Sequence, residues 1–113
     1  ILPYIGGSTE NGEVISTEIT VSYWVTRNAT DTTPVITNFP DINANDSSTI
    51  TRYLYKNGGN GTEVVLFKVN NGGHTEPSIS ERYSSIWLSI VGNQNGDIEM
   101  ANEVWDFFKT KTR

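Results

Sequence analysis

Residues 64–69, Val-Val-Leu-Phe-Lys-Val, constrain the fold more than any other segment of this chain. A strand with one solvated face alternates apolar and polar residues, whereas this run is almost continuously apolar. It therefore predicts a strand buried on both faces inside a larger sheet. The strand-like run 49–56 precedes it across the glycine- and asparagine-rich link 57–61, so we expect a β-hairpin. A hairpin supplies only one neighbour, so the rest of the sheet is expected from outside this chain or from a second copy.

A helix is predicted over residues 16–27. Ser16 is a favourable N-cap, and Glu18 lies in the first turn, where a carboxylate complements the helix dipole. The apolar residues of this segment follow helical spacing, and we interpret them as core residues. They are Ile15, Ile19, Tyr23 and Trp24.

A second helix is predicted near the C-terminus. Asp97 is interpreted as its N-cap and Glu99 as a first-turn residue. The apolar face predicted for this helix consists of Ala101, Val104, Trp105 and Phe108.

The remaining segments are predicted to be mostly irregular. Residues 8–13 are interpreted as a polar loop, and residues 35–39, bracketed by prolines, as a short edge element. The segment from His74 to Asn95 is expected to be irregular or weakly helical, with residues 86–88, Ile-Trp-Leu, as its anchor.

Composition excludes several classes of function. The chain has 113 residues, a net charge of −5 and a pI near 4.7, which disfavours a nucleic-acid partner. No apolar stretch approaches the ~20 residues that cross a bilayer, so no membrane partner is expected. With one histidine and no cysteine, we expect no metal site, no disulfide and no cofactor. The chain opens at Ile1 without a leader, so the natural N-terminus is expected to be absent.

His74 is the only histidine, and it follows the apolar strand in the loop 71–77, Asn-Gly-Gly-His-Thr-Glu-Pro. A short loop after a rigid strand is suited to present an imidazole as a general base. The alternative is a solvated loop histidine without chemistry. No Gly-x-Ser-x-Gly nucleophile turn occurs in the chain, so a nucleophile for such a base would lie outside it.

Three stretches, in order along the chain, resemble the polyhydroxybutyrate-depolymerase-like esterases, which are α/β-hydrolases related to feruloyl and acetylxylan esterases. Residues 1–7, Ile-Leu-Pro-Tyr-Ile-Gly-Gly, are similar to the Val-Pro-Tyr-x-Gly-Gly segment that follows the family's catalytic Asp. Residues 72–77, Gly-Gly-His-Thr-Glu-Pro, are similar to its Gly-Gly-His-Thr-Trp-Pro. Residues 97–108 resemble its last helix, and Trp24 and Asn28 match its Trp-x-x-x-Asn.

This resemblance implies an α/β fold in which residues 1–113 form the C-terminal part of one α/β-hydrolase domain. The part comprises a helix, a hairpin with the last sheet strand, the catalytic-histidine loop and a C-terminal helix. The implied activity is that of a serine carboxylic-ester hydrolase, secreted or periplasmic in a bacterium. His74 would supply the base, while the Ser and Asp would precede Ile1. The chain alone would therefore be inactive, with a polyester, a feruloyl or acetyl ester or a small acyl ester as the substrate of the whole enzyme.

The chain departs from the family pattern at two places. Glu76 replaces the Trp beside the histidine, which puts the substrate preference in question. Ala29-Thr30 follows Asn28 where many relatives have a cysteine. We interpret Thr75 and Glu76 as candidate substrate-binding residues, with a solvated loop charge as the alternative for Glu76.

Other carboxylates are not expected to join His74. In this hydrolase order the acid precedes the histidine, so Asp97 is interpreted as a helix cap. Asp31, Asp41 and Asp46 precede it but lie in polar loop without a motif.

A different class of function is also open. In this alternative the chain is a small carbohydrate- or protein-binding module, whose face would be built from Trp24 and exposed tyrosines of residues 49–56. His74 would then be incidental. For either function, unpaired sheet edges predict that the isolated chain self-associates.

Overall fold

A computed structural model describes residues 3–111 and shows a mixed α and β chain with two small antiparallel sheets. The mixed fold class expected from the sequence is therefore confirmed. In chain order the elements are β1 (Gly7–Thr9), β2 (Gly12–Val14), α1 (Thr17–Arg27), β3 (Val35–Asn38), β4 (Thr49–Tyr55), β5 (Val64–Asn70), α2 (Ser85–Val91) and α3 (Met100–Phe108), with a short 3-10 turn, Gly59–Gly61, before β5.

The larger sheet has the strand order β3-β4-β5. The predicted hairpin of β4 and β5 is present, and β3 is an edge strand as expected. Backbone conformations in the left-handed region turn the chain between β4 and β5, at Asn57, Asn60 and Gly61. These are residue types that tolerate positive φ, which is why the sequence predicted the hairpin.

The prediction that β5 is buried on both faces is wrong for this chain. Residues 64–69 are all only half-buried, and Asn70 is exposed. The physical reason is the position of β5 at the second edge of the sheet, where β4 is its one neighbour. The sequence of β5 is that of a central strand, whereas its neighbourhood is that of an edge strand.

Residues 8–13 are not a polar loop. They belong to a hairpin in which Thr9 pairs with Gly12 and Gly7 with Val14. Thr9 Oγ1 donates to Gly12 O at 2.7 Å and closes the two-residue turn. Of the resembling segment 1–7, residues 1 and 2 lie outside the described range, and a turn follows in which Gly6 N donates to Pro3 O at 3.1 Å.

Helix α1 begins as predicted. Ser16 is its N-cap, and the Ser16 hydroxyl accepts from Ile19 N at 3.1 Å. The prediction that its apolar stripe is core is wrong, because Ile15, Ile19, Tyr23 and Trp24 are all exposed. Val25 is the buried residue of the helix.

Helix α3 differs from its prediction at both its cap and its face. The N-cap position is Glu99, and Asp97 lies before the helix with its carboxylate engaged elsewhere. The predicted apolar face is exposed, with Trp105 66% and Phe108 59% accessible. Phe107 and Met100 are half-buried instead.

A regular helix, α2, occupies part of the segment expected to be irregular or weakly helical. Ser84 caps it by accepting from Trp87 N at 3.3 Å. Residues 86–88 were expected to anchor this segment. That prediction is wrong for Ile86 and Trp87, which are exposed. The last residue of the helix, Val91, is buried.

The chain divides into two compact units, each with a small core. The first comprises Ile1–Thr37 and Arg52–Phe67, and its buried apolar side chains are Val25 and Leu54. The second comprises Asn38–Thr51 and Lys68–Arg113, and it buries Ile50, Val91 and Ile98. His74 and the loop that carries it belong to the second unit.

Candidate active site

The loop that carries His74 leaves β5 through a left-handed residue. Asn71 has φ 56° and turns the chain. Gly72 and Gly73, which follow it, do not have positive φ values. Gly73 is required for a different reason: a Cβ there would lie 2.6 Å from the Cα of Gly92. Two backbone segments pass each other at this point, and a side chain would not fit between them.

Three hydrogen bonds fix the loop to the segment at the end of α2. Gly73 N donates to Asn93 O at 2.7 Å, and His74 N donates to Val91 O at 2.6 Å. Thr75 Oγ1 donates to Asn93 O at 2.9 Å. The backbone N–H groups of Gly73 and His74 and the side chain of Thr75 are therefore held by carbonyls of a neighbouring segment rather than left to solvent.

The imidazole of His74 is exposed. Within residues 3–111 no side chain or backbone group is hydrogen-bonded to it, so both ring nitrogens are available to outside groups. A histidine with an anchored backbone and an open ring can exchange a proton with a hydroxyl that approaches it.

Of the two candidate substrate-binding residues, Thr75 is engaged with Asn93 and Glu76 with Tyr83. The Tyr83 hydroxyl donates to the Glu76 carboxylate at 3.0 and 3.2 Å. This hydrogen bond is the main reason that the pKa of Tyr83 lies above its ordinary value of 10.0, with desolvation and the charge of Glu76 adding to it. Glu76 is exposed, but its carboxylate is hydrogen-bonded to Tyr83. It is therefore neither a charge surrounded only by solvent nor a carboxylate without a partner.

The aspartates that precede His74 are held elsewhere or make no contact with it. Asp31 accepts from Asn57 Nδ2 at 2.7 Å, and Asp46 accepts from Ser48 Oγ at 2.6 Å. Among the described residues, no carboxylate is hydrogen-bonded to His74. A carboxylate that orients this imidazole would have to come from outside that range.

Asp97, which the sequence placed at a helix cap, is the centre of a buried network. Its Oδ1 accepts from Ile42 N at 2.9 Å and Asn43 N at 3.0 Å, and its Oδ2 accepts from Asn95 Nδ2 at 2.8 Å. Asn95 also donates to Ser48 Oγ at 3.0 Å. Asp97 therefore braces the loop before β4 rather than a helix end.

A second set of buried contacts was missed by sequence reasoning. Gln94 is 1% exposed, and its Nε2 donates to the carbonyls of Glu76 at 3.1 Å and Glu81 at 2.9 Å. The guanidinium of Arg82 donates to three backbone carbonyls, those of Ser78, Gln94 and Asn95. The only signal for these roles was the polar run 93–97, Asn-Gln-Asn-Gly-Asp, which is typical of an ordinary loop.

Glu99, the N-cap residue of α3, binds residues 78–80 of the segment that follows His74. Its carboxylate accepts from Ser78 Oγ and, at 3.1 Å, from Ile79 N and from Ser80 N and Oγ. These bonds, that of Ser78 first and that of Ser80 N next, hold the pKa of Glu99 below its ordinary value of 4.5. The segment after His74 is thus tied to the start of α3.

The residues named for the binding face of the alternative function differ in their exposure. Tyr53 and Tyr55 are half-buried rather than exposed, and burial raises the pKa of Tyr55 above 10.0, with smaller contributions from Tyr53, Glu18 and Tyr4. Trp24 is exposed.

Two searches of residues 3–111 bear on other classes of site. No group of three or more His, Asp or Glu side chains there is placed to hold a metal ion. No helix in that range is long and apolar enough to span a bilayer.

Comparison with known proteins gives no match: no family model, no curated protein and no solved structure is significantly similar to this chain.

Proposed function

We propose that this chain is the C-terminal part of a serine carboxylic-ester hydrolase of the polyhydroxybutyrate-depolymerase-like type, and that His74 is its general base. One observation carries the proposal. The loop around His74 is fixed by two backbone hydrogen bonds and one from the Thr75 hydroxyl, while the imidazole itself is exposed and has no partner among the described residues.

The reaction follows from the chemistry of one imidazole between a hydroxyl and an ester. His74 accepts the proton of the serine hydroxyl as the serine oxygen attacks the ester carbonyl. The tetrahedral intermediate collapses to an acyl-enzyme, and His74 returns the proton to the leaving alcohol. Water then attacks the acyl-enzyme with His74 again accepting a proton, which releases the acid and restores the serine. An aspartate holds the second ring nitrogen throughout.

The surfaces of the chain support the presence of additional protein around it. Strand β5 has an apolar sequence but is an edge strand, and the apolar residues of α1 and α3 are exposed. An α/β-hydrolase sheet with helices on its faces would cover each of these surfaces.

The upstream coding sequence tests the proposal first. A Gly-x-Ser-x-Gly turn followed by Gly-Thr-x-Asp just before Ile1 is expected, and a neighbouring domain of another kind would contradict it.

The isolated chain is expected to show no turnover of a p-nitrophenyl ester, because it lacks the nucleophile. Steady hydrolysis by the purified chain that disappears in His74→Ala would show that the assignment of a missing nucleophile is wrong.

A further inference from the structure

Several asparagines of this chain are each followed by a glycine, the pair of residues in which an asparagine loses its side-chain amide most readily. These asparagines are Asn11, Asn57, Asn60, Asn71 and Asn95. Glycine favours the reaction because it has no side chain to hinder the approach of its backbone nitrogen to the asparagine. All these pairs share the same local sequence, so the folded structure decides which of them reacts.

Deamidation needs the asparagine side chain, the next backbone nitrogen and water. The glycine nitrogen attacks Cγ of the asparagine, and the Cγ–Nδ2 bond breaks. The proton of the glycine N–H leaves with the amide group as ammonia, and a succinimide ring remains. Water then opens the ring at either carbonyl, which yields an aspartate or an isoaspartate whose main chain is one carbon longer. A glycine N–H that is held in a hydrogen bond must first be released, so such a bond slows the reaction.

The link between β4 and β5 contains two of these pairs, and both glycine nitrogens are engaged. Gly58 N donates to Thr62 O at 3.0 Å, and Gly61 N donates to Gly58 O at 3.0 Å. The side chain of Asn57 is also held, since its Nδ2 donates to Asp31 Oδ2 at 2.7 Å. Ring closure in this link therefore requires several hydrogen bonds to open together.

Two further pairs are also fixed by the fold. Asn95 is 1% exposed, and Gly96 N donates to the carboxylate of Asp46 at 2.7 Å. A hydrogen bond to a charged group contributes about 1.5–3 kcal/mol, more than one between neutral groups. Gly12 is paired with Thr9 in the β1–β2 hairpin, so its backbone is part of a ladder.

Gly72 differs from the other four glycines. It is exposed and lies outside the helices and strands, and its N–H donates to no group among residues 3–111. Two hydrogen bonds at the surface hold Asn71: its Nδ2 donates to Ser47 O at 2.8 Å, and its carbonyl accepts from Asn93 Nδ2 at 3.0 Å. Each contributes about 1 kcal/mol, so both open often. In this pair the attacking nitrogen is already free.

We propose that Asn71 is a deamidation site and that its conversion alters the loop that carries His74. The aspartate product places a carboxylate, which only accepts hydrogen bonds, where an amide now donates to Ser47 O. That contact changes from attractive to repulsive. The isoaspartate product also lengthens the main chain three positions before His74, in a loop whose following residues are bonded to the end of α2. The reaction does not require His74 to be catalytic, so this proposal and the proposed function fail separately.

Peptide mapping of the folded 113-residue chain, aged in mildly alkaline buffer, tests the proposal. Trypsin places Asn71 in residues 69–82, Asn57 and Asn60 in 57–68, Asn95 in 83–109 and Asn11 in 1–27. Mass spectrometry then follows the replacement of the amide NH2 by OH in each peptide. Residues 69–82 are expected to convert roughly fivefold faster than the other three peptides or more, because fivefold corresponds to one hydrogen bond that need not open.

Two controls separate the fold from the sequence. In concentrated urea the four peptides are expected to convert at similar rates, because the hydrogen bonds that distinguish them are lost. Asn71→Gln, which would need a larger ring, is expected to abolish the mass gain of residues 69–82. The matched variant Asn70→Gln, at the neighbouring amide, is expected to leave that gain unchanged. Neither result depends on the stability of the variant, because unfolding would speed the reaction.

The single histidine reports the effect on the loop. Its ring gives one set of proton NMR signals, and a second set is expected to grow in proportion to the mass gain of residues 69–82. Unchanged signals in a fully converted chain would show that the loop is not altered. Equal or faster conversion of residues 57–68 or 83–109 in the folded chain would overturn the choice of Asn71, as would the same order of rates in urea.

Discussion

At Gly73 a hydrogen in place of a side chain lets the His74 loop lie against the end of α2. A Cβ would meet backbone atoms of Val91 and Gly92, which cannot swing aside as a side-chain tip can. Gly73→Ala is therefore expected to lower the free energy of unfolding by about 1–3 kcal/mol. Gly59→Ala is the matched control: its nearest contact is an ordinary 3.8 Å, so the expected change is within about 0.5 kcal/mol. Equal midpoints in urea for the two variants would contradict this account.

Glu99 gives the second unit a pH dependence of known sign. Hydrogen bonds hold its pKa in the folded state below 4.5, so the folded state favours the charged carboxylate. The stability that this contributes is complete above the ordinary pKa and is lost as the pH falls through the lowered one. Glu99→Gln removes the ionisation, and its deficit in stability relative to the unchanged chain is expected to shrink on going from pH 7 to pH 3. A deficit that stays constant over this range in urea titrations would show that the charge of Glu99 is not responsible.

Single residues also show where sequence reasoning succeeds and fails. Ser16 could be identified as a cap because capping is a local hydrogen bond to the third residue along. Asp97 has the residue type and position of a cap, yet it binds Ile42 and Asn43, which are more than fifty positions away in the chain. No local sequence pattern predicts hydrogen-bond partners that are so distant along the chain.

At the scale of elements, α1 and the β4–β5 hairpin were predictable because periodicity and turn residues determine them. The β1–β2 hairpin was missed because its strands are three residues each, too short for an alternating pattern to stand out. The position of β5 at a sheet edge was also missed. An apolar sequence indicates that a strand is buried, but it does not indicate how many neighbouring strands this chain supplies. The sequence predicted the His74 loop but not Asn93, whose role depends on its carbonyl and not on its side-chain type.

The exposed face of α3 predicts association between chains. Val104, Trp105 and Phe108 are exposed on one helix, and contiguous apolar surface of this kind favours contact with other protein. Light scattering of the isolated chain is expected to give a mass above 12.5 kDa that rises with concentration. Trp105→Gln is expected to lower that mass, whereas the control Asn102→Gln on the same helix is not. A constant monomer mass at all concentrations would contradict the prediction.

For the molecule as a whole, three observations support the proposed function: the small cores, the edge position of β5 and the anchored but open His74. Each unit buries only two or three apolar side chains among the described residues, while long apolar residues on α1 and α3 remain exposed. An independent binding module would use the exposed Trp24 of α1, but it gives no role to the exposed apolar residues of α3.

The most direct measurement is kcat/KM for p-nitrophenyl butyrate with the proposed hydrolase, in which this chain would supply the histidine. His74→Ala is expected to lower kcat/KM by at least about a thousandfold, since the base of a serine hydrolase is lost. Asn102→Ala, which alters an exposed amide on α3, is predicted to leave it unchanged. A His74→Ala enzyme that keeps the kcat/KM of the unchanged protein would contradict the central claim that this histidine is the general base.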